Sequence, residues 1–286
     1  MNKRRRIRFG YSLCMALGCG FLVLLAGCGD KKTKEADKQN SSAEGSDDLL
    51  VLNSKLPPEV AKAVTPLLEK EEAWLIKPPA QFTPAQLDRE FAGLRWEVAK
   101  KLGVHDVEGA ISYARASLSL DEAHADRWET LGDLYNLSGE LRGTRDAENA
   151  YDNAVFLNPK ALKPRRKLAA ALMMLGRFKE AARQLEFCLY LAEGKEQREM
   201  SPLYVAACAA AGEMKRGAAF FKAWPDAERD NQHRVARAIL ENANGQPQEA
   251  LNLLAAVEKS EAQSTELAMY VGTLRKRFEK DRGGQK

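Results

Sequence analysis

The chain has 286 residues, 45% of them hydrophobic and 29% charged, with 20 glycines and 11 prolines. These are proportions of a folded protein of one or two domains, not of a collagenous or low-complexity chain. The formal charge of +4 misleads, because five of the 44 basic residues (Lys3, Arg4, Arg5, Arg6 and Arg8) precede the first acidic one, Asp30; the rest is 39 basic against 40 acidic. Without a domain-scale excess of Lys and Arg, a nucleic-acid partner has no electrostatic support.

Residues 1–12 form a positively charged head, and residues 13–24 an apolar core too short for a membrane span of roughly 20 residues but right for the h-region of a signal peptide. The core ends in Leu25-Ala26-Gly27-Cys28. This stretch resembles the signal of bacterial lipoproteins, whose lipobox is Leu, a small residue, a second small residue and Cys. The resemblance implies cleavage before Cys28 and lipidation of its thiol, with acyl chains such as palmitate holding the chain on a membrane without spanning it. Two or three chains anchor stably where one holds only reversibly. Cys14 and Cys19 have no lipobox in front of them. Gly29 follows the cysteine, where lipoproteins kept in the inner membrane often carry Asp; this weakly favours the outer membrane of a two-membrane envelope.

Residues 29–48 contain no apolar side chain larger than Ala. Such a segment cannot offset its ordering entropy by burial, so a disordered tether is expected, spanning roughly 25 Å. A helix is expected over 59–76, with Val60, Ala63, Val64, Leu67, Leu68 and Leu75 available for packing. Pro66 should kink it or delay its start. Thr83-Pro84-Ala85-Gln86 reads as a capping box with proline at the first helical position. Leu87, Phe91, Leu94, Val98 and Leu102 then recur at helical spacing. A further helix over 107–120 carries Ala110, Ala114 and Leu118.

The stretch 125–189 organises the rest. It holds Trp128, Leu131-Gly132, Tyr135, Gly139, Ala147, Tyr151, Ala154 and Pro159, then Leu168-Ala169, Leu172, Gly176, Ala181, Leu185 and Cys188. Ala147, Tyr151 and Ala154 are each followed 34 residues later by Ala181, Leu185 and Cys188. The period and residue types resemble tetratricopeptide (TPR) repeats. The resemblance implies an all-α, right-handed α-solenoid of helix-turn-helix repeats, with a concave groove for a peptide or protein. The repeat at 125–161 is three residues too long, and the excess is assigned to an insertion at 141–145 between its helices. The repeat at 162–195 is regular. Ser201-Pro202 reads as the start of another first helix ending at Gly212, followed by a second helix with Gly217 and Phe221, cut short at Trp224-Pro225. A further unit carries Gly245, Ala250, Leu254 and Val257, and residues 265–280 form a charged, amphipathic capping helix. The expected organisation is therefore 1–27 signal, 28–48 lipidated tether, 49–103 N-terminal helices, 104–261 repeats, and 262–286 capping helix and tail.

Little points to chemistry. His105, His124 and His233 have no second ligand at metal spacing, and no phosphate loop or nucleophile elbow occurs. The reading is a non-enzymatic protein without cofactor, metal, nucleic-acid partner or small-molecule substrate. Cys188 and Cys208 admit two readings, a bridge in an oxidising envelope or buried small hydrophobes; their positions in the repeat favour the second. In TPR proteins defined positions of each first helix face the ligand. Here they are Asp126, Glu129, Thr130, Asp133, Asn136 and Leu137, an acidic set, and then Lys163, Arg166, Lys167, Ala170, Met173 and Met174, a basic set with a Met pair. Lys163 and Lys167 resemble part of a carboxylate clamp whose asparagines are absent. The implied role is an envelope scaffold, or an accessory subunit of a pilus, outer-membrane assembly or secretion machine, which binds the acidic part of a peptide beside Met173 and Met174. Further readings are an enzyme built on a repeat frame and a self-associating structural protein that pairs through the exposed end of its stack.

Overall fold

The computed structural model describes residues 56–139, 141–223, 230–260 and 265–283. The signal, Cys28, the tether and Trp224-Pro225 lie outside them. Among the described residues every regular element is a helix: α1 (Pro58–Ile76), α2 (Pro84–Leu102), α3 (Val107–Leu120), α4 (Ala125–Leu137), α5 (Leu141–Leu157), α6 (Leu162–Met174), α7 (Phe178–Leu191), α8 (Gly194–Ala211), α9 (Met214–Ala223), α10 (Asn231–Ala243), α11 (Pro247–Glu258) and α12 (Thr265–Gly283). Two compact units divide after Arg127, within the first turn of α4. None of these helices is long and apolar enough to cross a membrane.

In the first unit, α2 packs on both α1 and α3. The capping box is present: Thr83 Oγ1 accepts from the Gln86 amide, and the Thr83 amide donates to Gln86 Oε1 at 2.9 Å. Helix α1 starts at Pro58 and runs unbroken through Pro66, which cannot donate to the preceding turn. Leu75 is exposed rather than packed. Its place is taken by Trp74, edge-on to Phe82 and Phe91, and by Glu71, buried and 2.6 Å from Arg95 Nε. Burial, then the Glu71 charge, pushes Tyr113 up to about 12. The Ser117 hydroxyl donates to the Ala92 carbonyl and accepts from Arg127, tying α3 to α2. Because α2 and α3 form one hairpin, a boundary at 103/104 would run between its two halves.

In the second unit, hairpins follow in order, with α10 against α8, α11 against α10 and α12 against α11. The 34-residue period is a packing period: Ala147, Tyr151 and Ala154, like Ala181, Leu185 and Cys188, are all buried. The first helices of two hairpins end alike. Gly176 and Gly212 take φ of 76° and 77°, which lets Arg177 N donate to the Leu172 carbonyl and Glu213 N to that of Cys208.

Two boundaries differ from expectation. The three extra residues near 141–145 are not a loop insertion, because they lengthen α5 to 17 residues against 14 in α7. Gly143 permits this, since a Cβ there would lie 2.3 Å from Ser138 Oγ and 2.6 Å from the Tyr135 carbonyl. Helix α8 begins at Gly194, seven residues before Ser201, and takes Pro202 into its interior. The Ser201 hydroxyl turns back onto the Gln197 carbonyl. Met200 through Ala210 are buried without interruption, so over this stretch α8 has no open face. Four of those residues, Ala206, Ala207, Ala209 and Ala210, are alanines, small enough for helices to approach closely from several sides.

Ion pairs join successive second helices. Arg177 reaches Glu148 on α5 as well as Glu180, and Arg216 on α9 reaches Glu186 on α7 as well as Glu213. Helix α12 buries Leu267, Tyr270, Val271, Leu274 and Phe278; Lys276, Glu279, Lys280 and Asp281 face outward, whereas Arg277 is largely covered.

Candidate functional site

The expected ligand-facing residues of α4 and α6 meet in one polar cluster. Lys167 Nζ lies 2.6 Å from Glu129 Oε1 and 2.6 Å from Asp133 Oδ2, and Lys163 Nζ lies 2.8 Å from the same Glu129 oxygen. The other Asp133 oxygen accepts from the Tyr151 hydroxyl at 2.8 Å, and the Asn136 amide donates to that hydroxyl at 2.9 Å. Asn136 Oδ1 is buried and has no hydrogen-bond partner among the described residues. The acidic and basic sets are therefore not two ligand surfaces of opposite sign. Each neutralises the other across adjacent repeats, because first-helix side chains one repeat apart are close enough to pair.

The cluster is layered. The Glu129 side chain is 15% exposed and that of Lys163 69%. Burial alone would raise the Glu129 carboxyl, but hydrogen bonds from Lys163 and Lys167 hold it below the usual range. Hydrogen bonding and charge from Glu129 push Lys163 up. Burial first, then Asp133, pushes the Tyr151 phenol well above its ordinary value, so it stays a donor. Glu129 lies inside and Lys163 and Arg166 face outward, whereas Asp133 is more open than Lys167, at 45% against 23%; Lys163 has ammonium hydrogens to spare.

Of the remaining expected residues, Asp126 is exposed in the first turn of α4, and Met174 is half-buried against the core. Met173 is a correction: at 0% exposure it belongs to the core and offers nothing to a ligand. On a 13-residue helix packed by its neighbours on two sides, that position points inward. Tyr151 joins the site unforeseen. It reads as core from the period, but it is a tyrosine where the next repeat has Leu185, and its hydroxyl reaches past the core into the cluster.

No grouping of three metal-ligating side chains occurs among the described residues. His124 pairs instead with Asp121 at 2.8 Å, and His233 is buried on α10. Cys188 and Cys208 are free and buried, each pushed up to about 11 mainly by burial.

No protein-family model matches the sequence. A search of curated proteins also returns no match. Solved structures do resemble it. The crystal structure of YrrB, described as a TPR protein with an unusual peptide-binding site, aligns with a TM-score of 0.51 at 16% identity, over 73% of this chain and 97% of that one. The TPR-like repeats of a putative kinesin light chain from Podosopora anserina align at 0.44 and 18% identity, over 60% and 94%. MamA aligns at 0.41 and 14%, over 72% and 99%. The fold is thus all-α, with TPR-like helix-turn-helix repeats of solenoid type and a C-terminal capping helix.

Proposed function

We propose that the protein is a lipid-anchored scaffold of the bacterial envelope, holding a peptide or protein partner on the first-helix face of its repeats at α4 and α6. The observation that carries this reading is the cluster itself: the covered Glu129 holds both Lys163 and Lys167, the more open Asp133 pairs with Lys167, and Lys163 and Arg166 keep hydrogen-bond donors turned to solvent. Pre-positioned cationic donors of this kind suit an acidic side chain or a chain-terminal carboxylate. YrrB, the fold relative with a peptide-binding site, supports a peptide as ligand class. Beyond Met174 the face closes at α8, so the bound segment is short, about two repeats in extent. The lipobox at Leu25-Ala26-Gly27-Cys28 supports acylation of Cys28 and places the scaffold a tether's length from the membrane.

The test is capture of crosslinked partners from membranes by the tagged full chain, run beside a K163E/R166E variant and with metabolic palmitate labelling. The expected result is labelling that disappears on Cys28→Ser and one or more partners that disappear on K163E/R166E. Partners unchanged in K163E/R166E would remove the α4–α6 face as the site, and label retained in Cys28→Ser would remove the anchor.

A further inference from the structure

Asp133 keeps more unused bonding capacity than the other acid of the α4–α6 cluster. Its side chain is 45% exposed, against 15% for Glu129. Among the described residues it has two partners, Lys167 on one oxygen and the Tyr151 hydroxyl on the other. A carboxylate offers about four acceptor sites, so about half of that capacity is left over once the internal pairs are made. Ala170, one turn beyond Lys167 on the same face of α6, brings no charge to that side. The carboxylate is also braced. Tyr151, fixed in the core, donates to it, and Asn136 donates to the Tyr151 hydroxyl in turn.

The spare donors lie close by. Lys163 Nζ, Glu129 Oε1, Lys167 Nζ and Asp133 Oδ2 form a chain of contacts of 2.8, 2.6 and 2.6 Å, which puts its two ends at most about 8 Å apart. The Arg166 charge opposes the upward shift of Lys163, so the two cations are neighbours. Asp126, a turn nearer the start of α4, has an interaction of its own. The face therefore presents a cationic spot and an anionic spot side by side. A wholly acidic segment is repelled at Asp133, and a wholly basic one at Lys163 and Arg166. In an extended chain, side chains two positions apart point to one face and stand about 6.6–7 Å apart, which matches the separation. In a helix, acid and base one turn apart neutralise each other before they reach the site.

Resting on the reading of this face as a peptide site, we propose that it selects an extended segment carrying an acidic and a basic side chain two positions apart. The acid meets Lys163 and Arg166, and the base meets the open side of Asp133. Tyr151 and Asn136 are positioning residues that act through Asp133.

The probes are four nine-residue peptides of glycine, serine and alanine, blocked at both ends and carrying an uncharged fluorophore. They differ only at positions 4 and 6, which are Glu/Lys, Lys/Glu, Glu/Glu or Lys/Lys. Anisotropy with the full-length protein in an uncharged detergent should show one mixed peptide bound at least about tenfold more tightly than either like-charged peptide, the scale of one charge-assisted contact. In Asp133→Asn, which keeps an acceptor for Tyr151, the mixed peptide should lose its advantage over Glu/Glu. In Tyr151→Phe that advantage should shrink, and in K163E/R166E the order should turn towards Lys/Lys. Circular dichroism checks that each variant is folded. Binding of neither mixed peptide, Glu/Glu bound as tightly as the mixed ones, or an advantage retained in Asp133→Asn overturns the proposal. Tight binding of Glu/Glu would still leave the face a site for acidic ligands, and partners lost on K163E/R166E would still leave the scaffold standing, so the two readings fail separately.

Discussion

Tyr151 does two things that Leu185, its equivalent one repeat on, does not. Its ring fills the space that Gly132 leaves open, and its hydroxyl joins Asp133 to Asn136. A Cβ on Gly132 would stand 2.4 Å from the Tyr151 ring. Gly132→Ala should therefore cost about 1–3 kcal/mol through forced repacking, seen as a lower urea midpoint at unchanged slope. A midpoint within error of wild type would mean that the two helices can separate without penalty. At this scale the core was readable, because a repeat shows each buried position twice. The hydrogen bonds were not, since which partner a hydroxyl reaches depends on rotamers and on helices distant in sequence. Cys188 and Cys208 give a second test. Buried and pushed up to about 11, both stay protonated thiols at pH 8. An aromatic disulfide reagent should titrate almost no thiol in the native protein and both thiols in denaturant. Rapid native reaction would show a repeat core open to solvent.

At the scale of elements, α4 and α6 are joined by charge as well as by packing. Glu129 is held below the ordinary carboxylate range, so its contribution is present above its unfolded value and lost as pH falls through the lower folded one. Lys163 is shifted upward, so its contribution is present below its unfolded value and lost as pH rises through the folded one. Between about pH 5 and 9 the pairs should leave stability flat. A double-mutant cycle of Glu129→Gln and Lys167→Met should give a coupling of about 1 kcal/mol at pH 7, declining towards pH 3. Coupling independent of pH would assign the interaction to packing. The sequence put Glu129, Asp133, Lys163 and Lys167 in one groove, as an acidic and a basic set, but did not show them paired with one another. Register fixes which face a side chain occupies, whereas pairing depends on the distance between faces. Helix starts were less readable than helix ends. Glycines such as Gly176 and Gly212 mark the ends by a conformation few other residues adopt, but α5 and α8 start upstream of their signals. Gly143 allows close approach in the first, and Pro202 is tolerated inside a longer helix in the second.

Within the unit that follows Arg127, the repeats are not equivalent: α4 and α6 keep an open polar face, whereas α8 is enclosed on every side from Met200 to Ala210. Its alanine-rich composition was visible in the sequence, but enclosure is a property of several neighbours at once and has no local signal. A stack whose middle is closed still has an end to cover, and α12 does this. Leu254 and Val257 of α11 are buried in the same core as Leu267, Val271 and Phe278 of α12. Each such side chain is worth about 1.5–3 kcal/mol when fully buried. The five side chains that α12 buries thus represent about as much as the whole margin of a typical domain. A chain ending at Ser260 should consequently unfold at lower temperature, bind a hydrophobic dye and associate at micromolar concentration, as uncapped repeat arrays do. The α4–α6 cluster gives an internal control. Because stability in stacked repeats passes through nearest neighbours, loss of α12 should loosen α10 and α11 first and the hairpins of α4 to α7 last. Amide exchange resolved by segment would show that gradient. Uniform loss of protection along the whole unit would instead mean that the enclosed α8 couples all the hairpins into one cooperative body, with α12 as part of its core rather than a cap.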